Sequence, residues 1–254
     1  MKKYVLFGCA LMIMGQANAQ EQSDMKVGKR EPMFGVEFGG NLNNMLNNYQ
    51  GETVSNQLKV GVHAGFVADV LLTSHVYLQP GLRYIMKGGQ NERSNETLIT
   101  GGTMRYERKD KVTLNYVSLP VNLVYKFGGE NGGFFIGAGG YAAALVDART
   151  KFKEEMTTKV ANESDVEVKA DGSGKLAIGN TAGQDDITRM DYGVQGLLGV
   201  ELNNNWYIKG TVEAGLRNVF SGGKTSNVTS VIPSTNASGK NISYLLTVGY
   251  MFER

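Results

Sequence analysis

The sequence predicts an all-β protein: an eight-stranded antiparallel up-and-down transmembrane β-barrel with short periplasmic turns and long extracellular loops. Three observations predict this fold. Eight segments alternate apolar and polar residues with the period of two that is typical of β-strands. The connections between them alternate between long and short, so all the short ones fall at one end of an up-and-down sheet. Aromatic residues collect at that same end.

Each predicted strand is followed by a connection of the expected kind. The eight segments lie at 33–43, 58–72, 75–87, 111–127, 133–147, 188–202, 206–219 and 241–252. The short turns are 72–74, 128–132 and 203–205, and the long loops are 44–57, 88–110, 148–187 and 220–240. This layout is that of outer-membrane barrels, so we expect residues 33–254 to form a barrel in the outer membrane of a Gram-negative cell envelope.

The two faces of each predicted strand differ in polarity. On the seventh segment, Val212 and Leu216 share one face, and Glu213 and Arg217 share the other. A soluble sandwich would bury the apolar face, whereas a membrane barrel turns it toward lipid. Aromatic residues at one level favour the membrane barrel, because they form an interfacial girdle; they are Phe34, Tyr125, Phe127, Phe134, Trp206, Tyr250 and Phe252. Segment 133–147 is apolar on both faces, and the sequence does not orient it.

Ionisable side chains lie on the polar faces, which a membrane barrel turns toward its lumen. They are Glu37, His63, Asp69, Arg83, Glu201, Lys209, Glu213 and Arg217. Eight strands enclose only enough space for side chains, and buried charges are costly unless they are paired. We therefore expect these groups to pair with each other, Glu213 with a cation such as Arg217 or Lys209, and we expect no through-channel. Pro80 and Pro120 lie inside predicted strands, where each requires a bulge or a gap in the pairing.

Residues 1–19 have the composition of a secretory signal peptide. Lys2 and Lys3 precede an apolar stretch that is too short to span a bilayer as a helix. Ala17-Asn18-Ala19 is an A-x-A cleavage site. We therefore expect the mature chain to start at Gln20, with the following residues up to 32 forming a short periplasmic segment.

The composition after cleavage disfavours several classes of function. Leu6-Phe7-Gly8-Cys9 loosely resembles a lipobox, but Phe7 is bulky where a lipobox has a small residue, so a lipoprotein is disfavoured. Cleavage after Ala19 removes Cys9, the only cysteine, and leaves no thiol or disulfide chemistry. Lys2 and Lys3 supply the whole formal charge of +2, so the mature chain is neutral and gives no electrostatic case for binding nucleic acid.

Three short stretches resemble motifs of the PorT-type outer-membrane β-barrel family. They are Leu78-Gln79-Pro80-Gly81-Leu82, Tyr116-Val117-Ser118-Leu119-Pro120-Val121 and Gly137-Ala138-Gly139-Gly140-Tyr141. In order, they correspond to a "Q-P-x-L" strand, a "Y-x-x-I/L-P" strand and a "G-x-G" strand after a short turn. The resemblance covers most of residues 33–252 and implies a barrel. The namesake of the family is implicated in protein secretion across the outer membrane, and no functional residues are agreed for the family, so none is assigned.

The sequence suggests no catalytic, cofactor-binding or metal-binding residue. The two histidines, His63 and His75, stand in no arrangement with a serine or an acid that would make either a general base, so we do not expect an enzyme. Gly137–Ala142 matches G-x-G-x-x-A, the start of a dinucleotide fingerprint. No amphipathic helix follows it, and small residues in a tight barrel strand explain the match better.

The longest loop, 148–187, is predicted to contain a hairpin. Asp171-Gly172-Ser173-Gly174 is its predicted turn, between strands at Val166–Ala170 and Lys175–Ile178. Three acids alternate ahead of this turn: Glu163, Asp165 and Glu167. A solvated strand face explains them better than a cation site, because the Ca²⁺-loop pattern is missing.

Three functional hypotheses remain. The leading one is a small outer-membrane barrel that acts through its extracellular loops, in binding, adhesion or membrane integrity, and that is not a general porin. Its partners would be outer-membrane lipid and other envelope proteins that contact loops 88–110 and 148–187. The alternatives are a component of a protein-export or assembly machine, which rests only on the family resemblance, and a lipid-modifying enzyme.

Overall fold

Ten β-strands make up the part of the chain that the computed structural model describes, which lies in one unit, Glu31–Arg254. The described residues are 31–49, 52–55, 57–100, 102–127, 132–160, 165–181, 185–202, 204–220 and 238–252. The strands are β1 (Met33–Tyr49), β2 (Glu52–Ser55), β3 (Lys59–Leu71), β4 (Val76–Ile99), β5 (Gly102–Lys126), β6 (Gly133–Val160), β7 (Val166–Lys175), β8 (Met190–Glu201), β9 (Trp206–Gly215) and β10 (Ser238–Met251). Within these residues, no helix is long and apolar enough to cross a membrane. The predicted signal peptide 1–19 and most of the predicted loop 220–240 lie outside the described residues.

Eight of the strands form a closed antiparallel ring. Around the ring the order is β1, β3, β4, β5, β6, β8, β9 and β10, and β10 pairs with β1 to close it. The closing seam runs from the pair Gly35–Met251 to the pair Asn48–Ser238. In the described part of the chain, β2 pairs with β1 alone and β7 with β6 alone, so both lie outside the ring. Closure gives each spanning strand a hydrogen-bonded neighbour on both sides, as lipid requires, and the predicted eight-stranded barrel is confirmed.

Two of the predicted long loops, 88–110 and 148–187, are largely β-structure. β4 continues without a break to Ile99 and β5 begins at Gly102, so residues 88–110 form the outer part of the β4–β5 hairpin. β6 likewise continues to Val160, and β7 pairs back along it. The long connections at this end and a strand at Val166–Ala170 are confirmed, but residues 88–110 and much of 148–187 are not irregular loops. Apolar alternation stops where the strands leave the membrane, although the hydrogen-bonded ladder continues.

The predicted turn Asp171-Gly172-Ser173-Gly174 is also wrong, since these residues continue strand β7. Asp171 pairs with Lys153 in an unbroken antiparallel register between β6 and β7. Glycine makes room here for an aromatic ring: a Cβ at Gly172 would lie 2.5 Å from Cε1 of Phe152. Gly172 therefore serves close packing across two strands and not a change of chain direction.

The apolar face of the barrel wall points outward. Val212 is 49% exposed, whereas its neighbour Glu213 is 0% exposed. Large apolar side chains share this outward face on all sides of the ring; among them are Phe38, Phe66, Leu82, Leu123, Ile136, Leu198, Ile208 and Leu246. In a soluble barrel these side chains would form the core, so their exposure is that of a lipid-facing wall and confirms the predicted faces.

The structure orients β6, which the sequence leaves undecided over 133–147. Phe135 and Tyr141 are buried in the lumen, and Phe134 is exposed on the outer wall. Near the outer end of the spanning part, the register between β5 and β6 shifts and leaves Val146 as an extra residue. Such a bulge changes which alternate residues face inward, which is one reason why no single period-two pattern is visible in this segment.

The aromatic residues at the short-turn end lie at one level. Tyr250 pairs with Trp206 across β10 and β9, with ring centroids 5.2 Å apart, and Phe252 is 5.8 Å from Tyr250. Farther round the ring, Tyr125 and Phe127 are 4.8 Å apart. From this girdle, outward apolar residues continue for about 10 residues along each strand. At about 3.3 Å per residue and a tilt of about 40°, they span about 25 Å, the height of the apolar band of an outer-membrane barrel.

Gaps in the strand pairing accommodate Pro80 and Pro120, as predicted. The ladder between β3 and β4 is interrupted where Pro80 faces Ala68, and the ladder between β4 and β5 is interrupted where Gly81 faces Pro120. A Cβ at Gly81 would lie 3.2 Å from Cγ of Pro120. Glycine in the Q-P-G-L stretch therefore leaves space for the proline ring on the neighbouring strand.

Val212→Arg should destabilise the barrel by about 2–4 kcal/mol, because a charge on the lipid-facing wall loses its hydration. Val168→Arg is the matched control: Val168 is 51% exposed on β7, which lies outside the spanning ring, so its substitution should change stability little. Urea titration in lipid vesicles, followed by tryptophan fluorescence, measures the free energy of unfolding of both variants. An equal cost at the two positions would contradict the outward-facing wall.

Candidate interaction surface

Paired charges fill the middle of the lumen. Glu213 accepts a hydrogen bond from Arg83, and its second carboxylate oxygen lies 2.9 Å from Nζ of Lys87. The same ammonium group lies 3.6 Å from Oδ2 of Asp191. All four side chains are at most 3% exposed. The arrangement provides two cations for two carboxylates, which is the condition under which buried charge is tolerated.

The partner of Glu213 differs from the one predicted. Arg217 lies beyond the end of β9, where its guanidinium is 3.4 Å from Oδ1 of Asn180. Lys209 instead pairs with Glu37, at 2.7 Å. The prediction was wrong for Arg217 because the alternation that turns Glu213 inward stops with the strand.

A second group of charges lies at the short-turn end of the lumen. Nζ of Lys126 donates to Asp69 at 2.6 Å and also contacts Glu201. Lys126 was not singled out from the sequence, although it lies two strand periods from lumenal Asn122 on the same face of β5. His63 lies in the lumen, as predicted, and is 2% exposed. These side chains occupy the interior and connect strands across it.

Apolar side chains seal the opposite end of the lumen. Residues 176–181 and 185–188 contribute to the seal, with one backbone bridge between Ile178 and Ile187 and another between Ile187 and Phe220. Ile187 is fully buried in a cluster that includes Met45, Leu114, Tyr116, Tyr141, Leu176, Val219 and Phe220. Within the lumen, a cavity of about 10 Å³ beside Arg83 and Lys209 has room for about one water molecule. Charged side chains in the middle of the lumen and apolar side chains at this end therefore occupy the interior of the described barrel.

Two hairpins continue beyond the spanning wall as one four-stranded antiparallel sheet, here called the outer sheet. It consists of residues 90–99 of β4, 102–111 of β5, 150–160 of β6 and 166–175 of β7. One face continues the lipid-facing side of the wall and is rich in charged residues. The other face continues the lumenal side and carries mixed side chains, among them Tyr106, Arg108, Phe152, Met156 and Val168.

Ion pairs lie on the charged face of the outer sheet. Lys109 contacts Glu92 on β4 at 2.5 Å, and Lys169 contacts Glu167 at 2.6 Å. The hydrogen bond from Lys109 lowers the pKa of Glu92, and the bond to Glu92 raises the pKa of Lys109. Both groups therefore stay charged across the physiological pH range, and the face keeps its mixed-charge pattern.

A concave region crosses this face over β5, β6 and β7. Its volume is about 540 Å³, and it is lined by Glu107, Lys109, Lys153, Glu154, Glu155, Lys169, Ala170 and Asp171. Ligand pockets for small molecules are mostly apolar, whereas this lining is charged and carries both signs. The region is therefore suited to a polar, charged partner surface.

The described residues contain no group of three or more histidine, cysteine, aspartate or glutamate side chains that could hold a metal ion. Of the three alternating acids near β7, Asp165 lies 3.4 Å from Lys159, and Glu167 pairs with Lys169. Glu163 lies outside the described residues. The two described acids thus act as ion-pair partners of lysines on the charged face.

A family comparison agrees with this architecture. The family described as outer membrane protein beta-barrel domain matches residues 18–221. The chain belongs to this family. It is therefore an outer-membrane protein, as predicted. No curated protein matches the chain.

Solved outer-membrane proteins are similar to this family member, at low identity. Ail of Yersinia pestis is 11% identical with a TM-score of 0.38, and the match covers 88% of this chain and 100% of Ail. Neisserial surface protein A is 9% identical with a TM-score of 0.34, covering 88% and 100%. OprG of Pseudomonas aeruginosa is 8% identical with a TM-score of 0.31, covering 89% and 99%.

Glu213→Ala should destabilise the protein by roughly 3–5 kcal/mol, because it removes the carboxylate that pairs with Arg83 and leaves Lys87 only Asp191. The double variant Glu213→Ala/Arg83→Met should recover part of this loss. Glu167→Ala is the control, since that carboxylate is exposed and its solvent-screened ion pair should contribute little to stability. The free energy of unfolding in vesicles measures all three, and no recovery in the double variant would contradict the assigned pairing.

Proposed function

We propose that this small outer-membrane barrel is a binding protein and that the outer sheet is its binding surface. The observation that carries the proposal is the sheet itself: two hairpins that were expected to be loops pair with each other beyond the spanning wall. The outer sheet is assigned to the extracellular side, because it lies opposite the short turns and outer-membrane barrels place their short turns in the periplasm.

The outer sheet is not needed to close the barrel. The ring closes through β10 and β1, and the spanning parts of β4, β5 and β6 pair below the outer sheet. Exposed ion pairs such as Lys109–Glu92 contribute little to stability, because water and salt screen them. A charged face of mixed sign instead favours the correct partner and penalises wrong ones, because like charges across an interface are unfavourable. We infer that the partner is a charged envelope or cell-surface protein.

The sealed lumen supports a function in binding and not in general transport. Purified protein in planar bilayers should therefore show no stable, large-conductance open state, because charges fill the middle of the lumen and apolar residues close one end. Single-channel recording measures this directly. Steady porin-like conductance would contradict the closed lumen.

Photo-crosslinking in intact cells tests the binding surface. A crosslinker at Glu96 or Glu167, both exposed on the outer sheet, should capture a protein partner, whereas one at Ser74 in a short turn should not. Replacing the outer part of the β4–β5 hairpin, Asn91–Asp110, by a two-residue turn should abolish the crosslink at Glu167 while the barrel still folds. Folding is checked by the heat-dependent mobility of the protein in gels.

The same experiment separates the proposed function from its alternative. If the crosslinks arise only from Ser74, the partner acts from the periplasm. That result would contradict binding through the outer sheet and favour a component of an export or assembly machine, the role that the PorT-type resemblance implies. If the variant without Asn91–Asp110 still crosslinks at Glu167, the two hairpins of the outer sheet do not form one binding surface, and the proposal is contradicted.

A further inference from the structure

Six cations lie together on the outward face of the protein, at the membrane-proximal end of the outer sheet. This group, the basal patch, consists of Lys109, Lys111, Arg149, Lys151, Lys153 and Lys175. All six are exposed, and they form three directly opposed cross-strand pairs: Lys109–Lys153, Lys111–Lys151 and Arg149–Lys175. Like charges directly opposite each other destabilise a pair of strands, and an anion bound across the patch would relieve this repulsion.

The protein neutralises little of this charge. Arg149 pairs with Asp147 at 2.9 Å, and Lys109 pairs with Glu92. Asp171 lies opposite Lys153 across β6 and β7, but among the described residues no carboxylate lies within ion-pair distance of the other four: Lys111, Lys151, Lys153 and Lys175. Farther from the membrane the same face is different, because Lys159 and Lys169 each pair with an acid. Unneutralised positive charge is thus concentrated at the base of the outer sheet.

The height of the basal patch places it among lipid headgroups. On β5, the exposed apolar residue of the outer wall nearest the outer sheet is Val117, and Lys111 lies six residues farther from the membrane. On β6, Val146 is 53% exposed and Lys151 lies five residues beyond it. At about 3.3 Å per residue and a tilt of about 40°, both lysines lie about 15 Å or less above the apolar band. The patch therefore faces sideways, toward the polar layer of the surrounding leaflet.

We propose that the basal patch binds the phosphate groups of a phosphorylated glycolipid in the outer leaflet. Basic clusters next to the membrane recognise anionic headgroups, and each lysine or arginine near the surface contributes about 1 kcal/mol. Arg149 adds a planar donor that suits a phosphate oxygen pair, and Lys111 and Lys151 add ammonium groups beside it. This site goes beyond the proposed partner of the outer sheet and uses different residues from Glu96 and Glu167.

Bisphosphorylated lipid A is the probe that tests the site. The full-length protein is purified in non-ionic detergent and titrated with the lipid, and native mass spectrometry measures the bound fraction. The variant Lys111→Gln/Lys151→Gln should bind about 25-fold more weakly, since each lysine accounts for about five-fold. The matched control Lys159→Gln/Lys169→Gln removes two exposed lysines of the same sheet and should bind like the unmodified protein.

Thermal unfolding gives a second measurement, in which the substitution should not lower stability without lipid but should reduce the gain of Tm with lipid. Without lipid, Lys111→Gln/Lys151→Gln should be at least as stable as the unmodified protein, because the substitution removes a repulsive pair. With lipid A, the unmodified protein should gain Tm and the variant should gain less, because a ligand stabilises the state that binds it. A variant that is at least as stable without lipid but gains less Tm with lipid is folded, so misfolding is excluded as the reason for its weaker binding.

Three outcomes would overturn the proposal. The first is an equal gain of Tm in the unmodified protein and in Lys111→Gln/Lys151→Gln. The second is equal binding of lipid A from which both phosphates have been removed. The third is displacement of lipid A by millimolar inorganic phosphate, which would mean a site for a free anion. All three are independent of the crosslinking result, so the lipid site and the binding function of the outer sheet can fail separately.

Discussion

The need to satisfy every backbone hydrogen bond inside lipid determines most of this structure. A sheet with an open edge would leave N–H and C=O groups unpaired in hydrocarbon, so the strands must form a ring, and the seam between β1 and β10 completes it. Once the ring closes, the wall has an outer surface in lipid and a narrow interior. The apolar side chains then have to face outward, and the polar ones are left to fill the lumen.

The lumen replaces an apolar core with bonds that cross the barrel. Arg83 on β4 reaches Glu213 on β9, and Lys209 on β9 reaches Glu37 on β1. Nζ of Lys87 lies 4.1 Å from the ring centroid of Tyr141 and also lies beside the carboxylates of Glu213 and Asp191. Each of these contacts joins strands that are not adjacent in sequence. The interior is thus held by a few strong, mutually dependent contacts, which makes the loss of one carboxylate more costly than the loss of a surface charge.

Period-two alternation, taken together with the alternating connection lengths and the aromatic girdle, was sufficient to predict the ring, the faces and the lumenal position of Glu213. It could not identify Arg83 and Lys87 as the partners of Glu213, since these contacts depend on the relative stagger of β4 and β9 across the interior. It also could not find the outer sheet, because Lys151 and Lys153 alternate with Thr150 and Phe152 in a pattern with no apolar face directed at lipid. The bulge at Val146 hid the orientation of β6 in the same way, by changing the alternation within one strand.

The outer sheet also has a free edge in the described part of the chain, along β7. In the described part of the chain β7 has β6 on one side and no strand on the other, so its outer edge offers unpaired backbone groups. If two copies of the protein paired antiparallel along this edge, centred on Lys169, the two lysines would oppose each other and Glu167 would oppose Asp171. In that register every charged position of the central segment meets its own sign. In this register the charge order of β7 therefore opposes a twofold pairing of neighbouring barrels through their outer sheets.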